Sequence, residues 1–168
     1  MLGFEDLENI EGEGELKTLD INNSECEFLY RYGKVRNDLY DLEGICFQVY
    51  SSDSPAFIFF EAHLIEYEDG FKVVMINNND TAVYIKKGIP EYLIPKISEI
   101  FNKNIYSSST KKEYKSYDDE SRVPNSTKFW ERMKNIFPEN VVKNSDGDFY
   151  KYSNNNISNL DKNLEIKE

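Results

Sequence analysis

Thr81-Ala82-Val83-Tyr84-Ile85-Lys86-Lys87-Gly88-Ile89-Pro90 carries the change from one periodicity to another. Ala82 to Ile85 reads as an apolar strand, Lys86-Lys87-Gly88 as a basic turn, and the residues after Pro90 as a helix. A strand, a glycine turn and a helix in succession present backbone N–H groups to a phosphate at the helix start.

Upstream of this stretch the period is two. Ile45–Tyr50 alternates aromatic, apolar and polar residues, and Ser51–Pro55 is a turn cluster. In Phe57–Tyr67, Ile58, Phe60, Ala62 and Leu64 share one face; Phe57, Phe59, Glu61, His63 and Ile65 share the other. Glu68-Asp69-Gly70 is a tight turn, Phe71–Ile76 a returning strand, Asn77–Asp80 a second turn, and Thr81–Lys86 the next strand. Glu25–Tyr32 suits an earlier strand, Gly33 signals a turn, and residues 34–43 fit either a helical turn or an irregular crossover.

Downstream the period becomes about 3.6. Leu93, Ile94, Ile97, Ile100 and Phe101 form one stripe, with Pro90 suited to the first helical position and Pro95 awkward one turn in. Ile105-Tyr106 begins a short strand ending in Ser107-Ser108-Ser109. Residues 109–124 are polar and read as a mobile loop. A second helix, capped by Asn125 or Ser126, buries Phe129, Trp130, Met133 and Ile136 and stops at Pro138. Val141-Val142 and Phe149–Tyr152 form a closing hairpin across Asp146-Gly147, and Ile157, Leu160 and Leu164 suit a short docked helix in the tail. The expected fold class is therefore α+β: a mixed, mainly antiparallel twisted sheet with two main helices. Residues 24–152 form one domain between an acidic flexible arm (1–23) and a polar tail (153–168).

Charge is distributed unevenly. Residues 1–27 hold nine acids against Lys17, a net of −8, which leaves only −3 of the total −11 for the other 141 residues. Such an arm disfavours direct nucleic-acid binding and anionic membranes, and suits either solvation or a basic protein partner. No apolar run reaches the ~20 residues that cross a bilayer, and the acidic N-terminus lacks the features of a secretory signal. Cys26 and Cys46 lie in aromatic-rich strands, where unbridged buried thiols are expected, and the chain reads as cytoplasmic. One histidine and two cysteines twenty residues apart match no zinc spacing.

The order meander, helix, strand, helix, strand over roughly residues 45–152 resembles the GNAT acetyltransferase superfamily. Lys87-Gly88-Ile89-Pro90-Glu91-Tyr92-Leu93-Ile94 is similar to that family's cofactor turn, and Ser126-Thr127-Lys128-Phe129-Trp130-Glu131-Arg132 to its later helix. Three positions depart from the pattern. Ile85 stands where an arginine or glutamine is usual, Pro90 replaces the second glycine and has no N–H, and Trp130 occupies the place of an acid tyrosine. The resemblance implies acetyl-CoA at Lys86, Lys87, Gly88 and Ile89, with Ser107 and Ser108 beside it. It also implies N-acyl transfer to a small-molecule or protein amine. Glu61 and His63, two apart on one strand, could relay the proton, with Tyr84 as acid. The competing reading is a non-enzymatic acidic binding or inhibitor protein, a composition common among phage and mobile-element products acting on a host protein.

Overall fold

The Gly-Glu alternation near the N-terminus is strand, not irregular arm: β1 (Gly12–Leu19) pairs antiparallel with β2 (Glu25–Asn37). Its glycines have a steric reason. Gly12 and Gly14 lie opposite Tyr32 and Tyr30, and a Cβ on either would sit within 2.4–2.6 Å of a tyrosine ring or hydroxyl. Leu16 and Thr18 continue that face and are buried, while Glu13, Glu15 and Lys17 point the other way and are exposed. Asp20 closes the turn by accepting the Asn22 and Ser24 amides at 2.8 and 2.9 Å.

The computed structural model describes residues 7, 9–37, 42–52, 58–117, 120–122 and 124–155. Residues 34–37, read as helical turn or crossover, continue β2 in a hairpin with β3 (Leu42–Tyr50), and Gly33 sits inside the strand. Then follow β4 (Phe60–Tyr67), β5 (Gly70–Asn77), α1 (Ile89–Phe101), β6 (Asn104–Tyr106), α2 (Pro124–Ile136), β7 (Val141–Asn144) and β8 (Phe149–Tyr152). The architecture is α+β, with one eight-stranded sheet in the order β1-β2-β3-β4-β5-β6-β8-β7. Of the registered pairs only β5–β6 is parallel, so the sheet is mixed and mostly antiparallel. Among the described residues no helix is long and apolar enough to cross a membrane. The tail helix expected over 157–164 lies outside the described residues.

The chain divides into two compact units. The first comprises residues 1–66 and 73–92. Its core is the face of β1–β4 carrying Leu16, Phe28, Tyr30, Phe47, Val49, Phe60, Ala62 and Leu64, all buried. Tyr32 stacks on Phe47 at 4.7 Å between centroids. Thr81–Lys86 is not the expected strand. The Tyr84 and Ile85 amides both donate to the Thr81 carbonyl, at 3.1 Å each, folding the run into turns. Positive φ at Asn79, Asp80 and Lys86 brackets this coil, which extended pairing could not accommodate.

The second unit comprises residues 67–72 and 93–168. Here Trp130 stacks between Phe129 and Tyr150, with centroids 5.8 and 5.7 Å away. Its helix α2 starts at Pro124, ahead of both expected caps, and the fixed φ of that proline suits the first turn. The described residues of the polar stretch read as a mobile loop are anchored. Lys112–Tyr114 forms a short 3₁₀ turn, and buried Lys72 reaches Glu120 at 3.1 Å, the Tyr114 carbonyl at 2.6 Å and Ser116 at 3.0 Å. Glu120 also accepts the Ser109 and Ser116 amides, so both members of the ion pair are enclosed by polar partners.

Candidate functional site

The strongest gathering of chemically capable side chains lies on the first unit's other sheet face. Antiparallel register sets Cys46 directly opposite His63 and Gln48 opposite Glu61. Parity then places all four on one face, since residues two apart on a strand point the same way. The Cys46 sulfur is 3.5 Å from His63 Nε2, and Glu61 Oε2 is 3.8 Å from the same nitrogen. The sulfur, the imidazole nitrogen and a carboxylate oxygen lie within 4.8 Å of one another. Cys46 is 2% exposed and His63 4%. Part of that cover is visible: Gly33, the β2 partner of Cys46, lies under the chain at Asn9, whose carbonyl oxygen is 2.1 Å from where a Gly33 Cβ would be.

Neighbouring groups fix the carboxylate. Gln48 donates to Glu61 Oε1 at 3.3 Å, and Arg31 Nε donates to the Gln48 oxygen at 2.7 Å. Arg31 in turn lies 4.7 Å over the Phe59 ring. The hydrogen bond with His63, reinforced by Gln48, holds the Glu61 carboxyl below its ordinary range against the opposing effect of burial. The register continues outward, Glu61 opposite Gln48, Gln48 opposite Arg31 and Arg31 opposite Glu13, so one polar row crosses four strands to the sheet edge.

Glu61 and His63 are thus adjacent as their spacing implied, but the arrangement is not a linear relay. Both Cys46 and Glu61 address the same imidazole nitrogen, whereas a nucleophile–base–orienter triad uses both nitrogens of the ring. What the three side chains offer is a convergent thiol, imidazole and carboxylate, a donor set able to hold a cation. Cys46, Gln48 and Arg31 were not legible as site residues. Their signal is the i, i+2 spacing of Cys46 and Gln48 on a strand, which becomes informative only with the β3–β4 register.

The remaining expected site residues are placed elsewhere. Tyr84 is buried beside Phe28, at 6.2 Å between centroids, and its hydroxyl donates to the Ile58 carbonyl at 2.6 Å. Lys86 is exposed with φ 59°, and the Lys87 carbonyl accepts the Thr18 hydroxyl. Gly88 has φ 75°, and a Cβ there would sit 2.2 Å from the Leu19 carbonyl oxygen, so β1 closes against this corner. Ile89 is fully buried. In the second unit the Ser107 hydroxyl accepts the Tyr150 amide at 2.8 Å and donates to the Ser108 carbonyl at 3.0 Å, joining β6 to β8. Ser108 is buried, and its carbonyl accepts from Arg122 at 3.0 Å.

A second feature is the sheet's terminal strand. Among the described residues β1 has β2 on one side and no strand on the other. Exposed Ile10 and Ile21, the latter 67% exposed, stand at its two ends, and exposed Glu11, Glu13 and Glu15 line it, with Glu25 and Glu27 on the adjoining strand. No family model matches the chain, and no curated protein or solved structure is significantly similar to it.

Proposed function

We propose that this chain is a non-enzymatic binding protein that docks a basic protein segment along β1. The observation that carries the reading is the exposed Glu13–Glu15 pair on a strand that, among the described residues, is paired on one side. Such an edge offers main-chain donors and acceptors to an added strand, while its carboxylates select the partner's charge. Residues 9–27 carry Glu11, Glu13, Glu15, Asp20, Glu25 and Glu27 against Lys17, six acids to one base. Ile10 and Ile21 supply apolar anchors at either end. The Lys87–Gly88 turn covers the Leu19 end, so the docking length is the Gly12–Lys17 portion.

N-acyl transfer from acetyl-CoA draws less support from the same geometry. The resemblance needs a strand before the glycine turn and open amides at the helix start, and here that run is coiled and Gly88 faces the Leu19 carbonyl. An inhibitor or neutralising role toward a host protein is one form the proposed binding would take.

The test uses a labelled peptide of alternating lysine and valine and the full chain, followed by fluorescence anisotropy at low and moderate salt. Saturable binding that weakens with salt is expected, with at least a tenfold loss in the double variant Glu13→Lys, Glu15→Lys. A control with reversals at exposed Glu99 and Glu139 keeps the affinity. Equal binding by both variants would overturn the assignment to β1.

A further inference from the structure

We infer that Cys46, Glu61 and His63 form a binding site for a single zinc-class divalent ion, a role independent of the docking edge. Three observations converge on it. The first is distance. Bonds of about 2.3 Å to sulfur and about 2.0 Å to nitrogen, at a tetrahedral angle, set those two atoms about 3.5 Å apart. Cys46 Sγ and His63 Nε2 are 3.5 Å apart. The same geometry asks for about 3.3 Å between imidazole nitrogen and carboxylate oxygen. Glu61 Oε2 stands at 3.8 Å, about half an ångström too far. The three donors lie within 4.8 Å of one another where sulfur and carboxylate oxygen need about 3.6 Å, so the carboxylate closes on the ion by a side-chain adjustment of about an ångström.

The second is direction. Thiol and carboxylate both face Nε2 of one ring, so an ion at their common focus meets all three donors at once. A thiol activated for nucleophilic attack would instead need exposure to a substrate, and Cys46 is buried. The third is the support behind the ligands. Gln48 holds Oε1 of Glu61, leaving Oε2 for the focus, and Arg31 holds Gln48. Hydrogen bonds of this kind orient carboxylate ligands and tune affinity in metal sites.

Charge balance favours the assignment. A thiolate, a carboxylate and a divalent cation sum to zero, which suits a largely buried site better than unpaired charge would. Binding replaces the S–H bond by an S–metal bond and releases the thiol proton to buffer. Imidazole, thiolate and carboxylate together suit zinc better than the hard cations calcium and magnesium. Three protein ligands leave the fourth tetrahedral position to water or to a small ligand.

The experiment uses the untagged full chain, stripped by dialysis against a chelator, with cobalt(II) as optical probe and zinc in competition with a chromophoric chelator. One equivalent of cobalt should give thiolate-to-cobalt charge transfer in the near ultraviolet and the strong visible bands of tetrahedral coordination, both displaced by zinc. Cys46→Ser should abolish the charge-transfer band, and Cys26→Ser should keep it, because Cys26 lies on the opposite sheet face. Gln48→Leu, which retains all three donors, should weaken zinc ~10–100-fold. Circular dichroism of the stripped variants separates lost ligation from lost fold. If Cys46→Ser fails to fold, His63→Gln takes its place, with loss of the tetrahedral visible bands as the readout. A band that survives Cys46→Ser, a band lost with Cys26→Ser, or no saturable binding at micromolar metal would overturn the site.

Discussion

A methyl group on Gly14 would lie 2.6 Å from the Tyr30 hydroxyl oxygen, and Tyr30 is itself buried. Two effects of opposite sign follow from Gly14→Ala. Restricting the unfolded chain should stabilise by ~0.4–1 kcal/mol where the native geometry is strain-free. Overpacking should cost ~1–3 kcal/mol where a ring must move within a filled core. At 2.6 Å the steric effect wins, and urea unfolding should show a net loss of ~1–2 kcal/mol. A neutral or stabilising result would mean that Tyr30 swings aside freely. The same contact explains why Glu11–Glu15 misleads as sequence. Alternating glycine and glutamate has the composition of a disordered leader, and nothing within the segment reveals that its glycines make room for tyrosines sixteen or twenty residues later. Cys46 is opaque for a related reason. Its partners are two on β4 and one on β2, and register cannot be counted across turns of unknown length.

Elements closed by short turns were legible. Glu68-Asp69-Gly70 between alternating runs fixes the β4–β5 hairpin, and Asp146-Gly147 fixes β7–β8. Ala82–Ile85 was not legible, because an apolar run of four cannot distinguish a strand from a buried turn. Its burial rests on one side chain, Tyr84, while Ala82 and Val83 are exposed. The segment between β6 and α2 failed in the opposite direction. Its polarity suggested mobility, yet its order comes from a lysine and a glutamate that meet across 48 positions of sequence. Lys72 is 1% exposed and Glu120 0%, so neither can recover water if its partner is removed. Burial pushes the Lys72 ammonium below its ordinary value, and Glu120 opposes that push. Glu120→Gln should therefore cost ~3–5 kcal/mol by stranding a buried cation. Lys72→Met combined with Glu120→Gln should cost less than the two single changes added together. Chemical denaturation of the four proteins measures this, and strictly additive losses would show that the pair does not organise the segment.

Charge and burial oppose each other across the whole molecule, and removal of residues 1–21 sets them in direct contest. That deletion takes away Glu5, Asp6, Glu8, Glu11, Glu13, Glu15 and Asp20 with Lys17, six net negative charges of the eleven. If the segment were a solvated leader, its loss would relieve self-repulsion and raise the melting temperature slightly, most at low salt. As strand β1 it contributes buried Leu16 and Thr18, covers Phe28 and Tyr30 from one side, and pairs the whole of β2 between Glu25 and Tyr32. Burying a leucine side chain is alone worth ~1.5–3 kcal/mol, and an uncovered β2 would become a longer, more apolar edge prone to self-association. Exposed carboxylates on a strand edge interact through water and contribute at most about 1 kcal/mol each way. Burial therefore outweighs repulsion, and the shortened chain should melt lower at every salt concentration and aggregate on heating. A higher melting temperature at low salt that falls back toward the full-length value as salt is added would reverse that ranking. It would also return the acidic segment to the status of a tail, leaving a basic partner no ordered edge on which to dock.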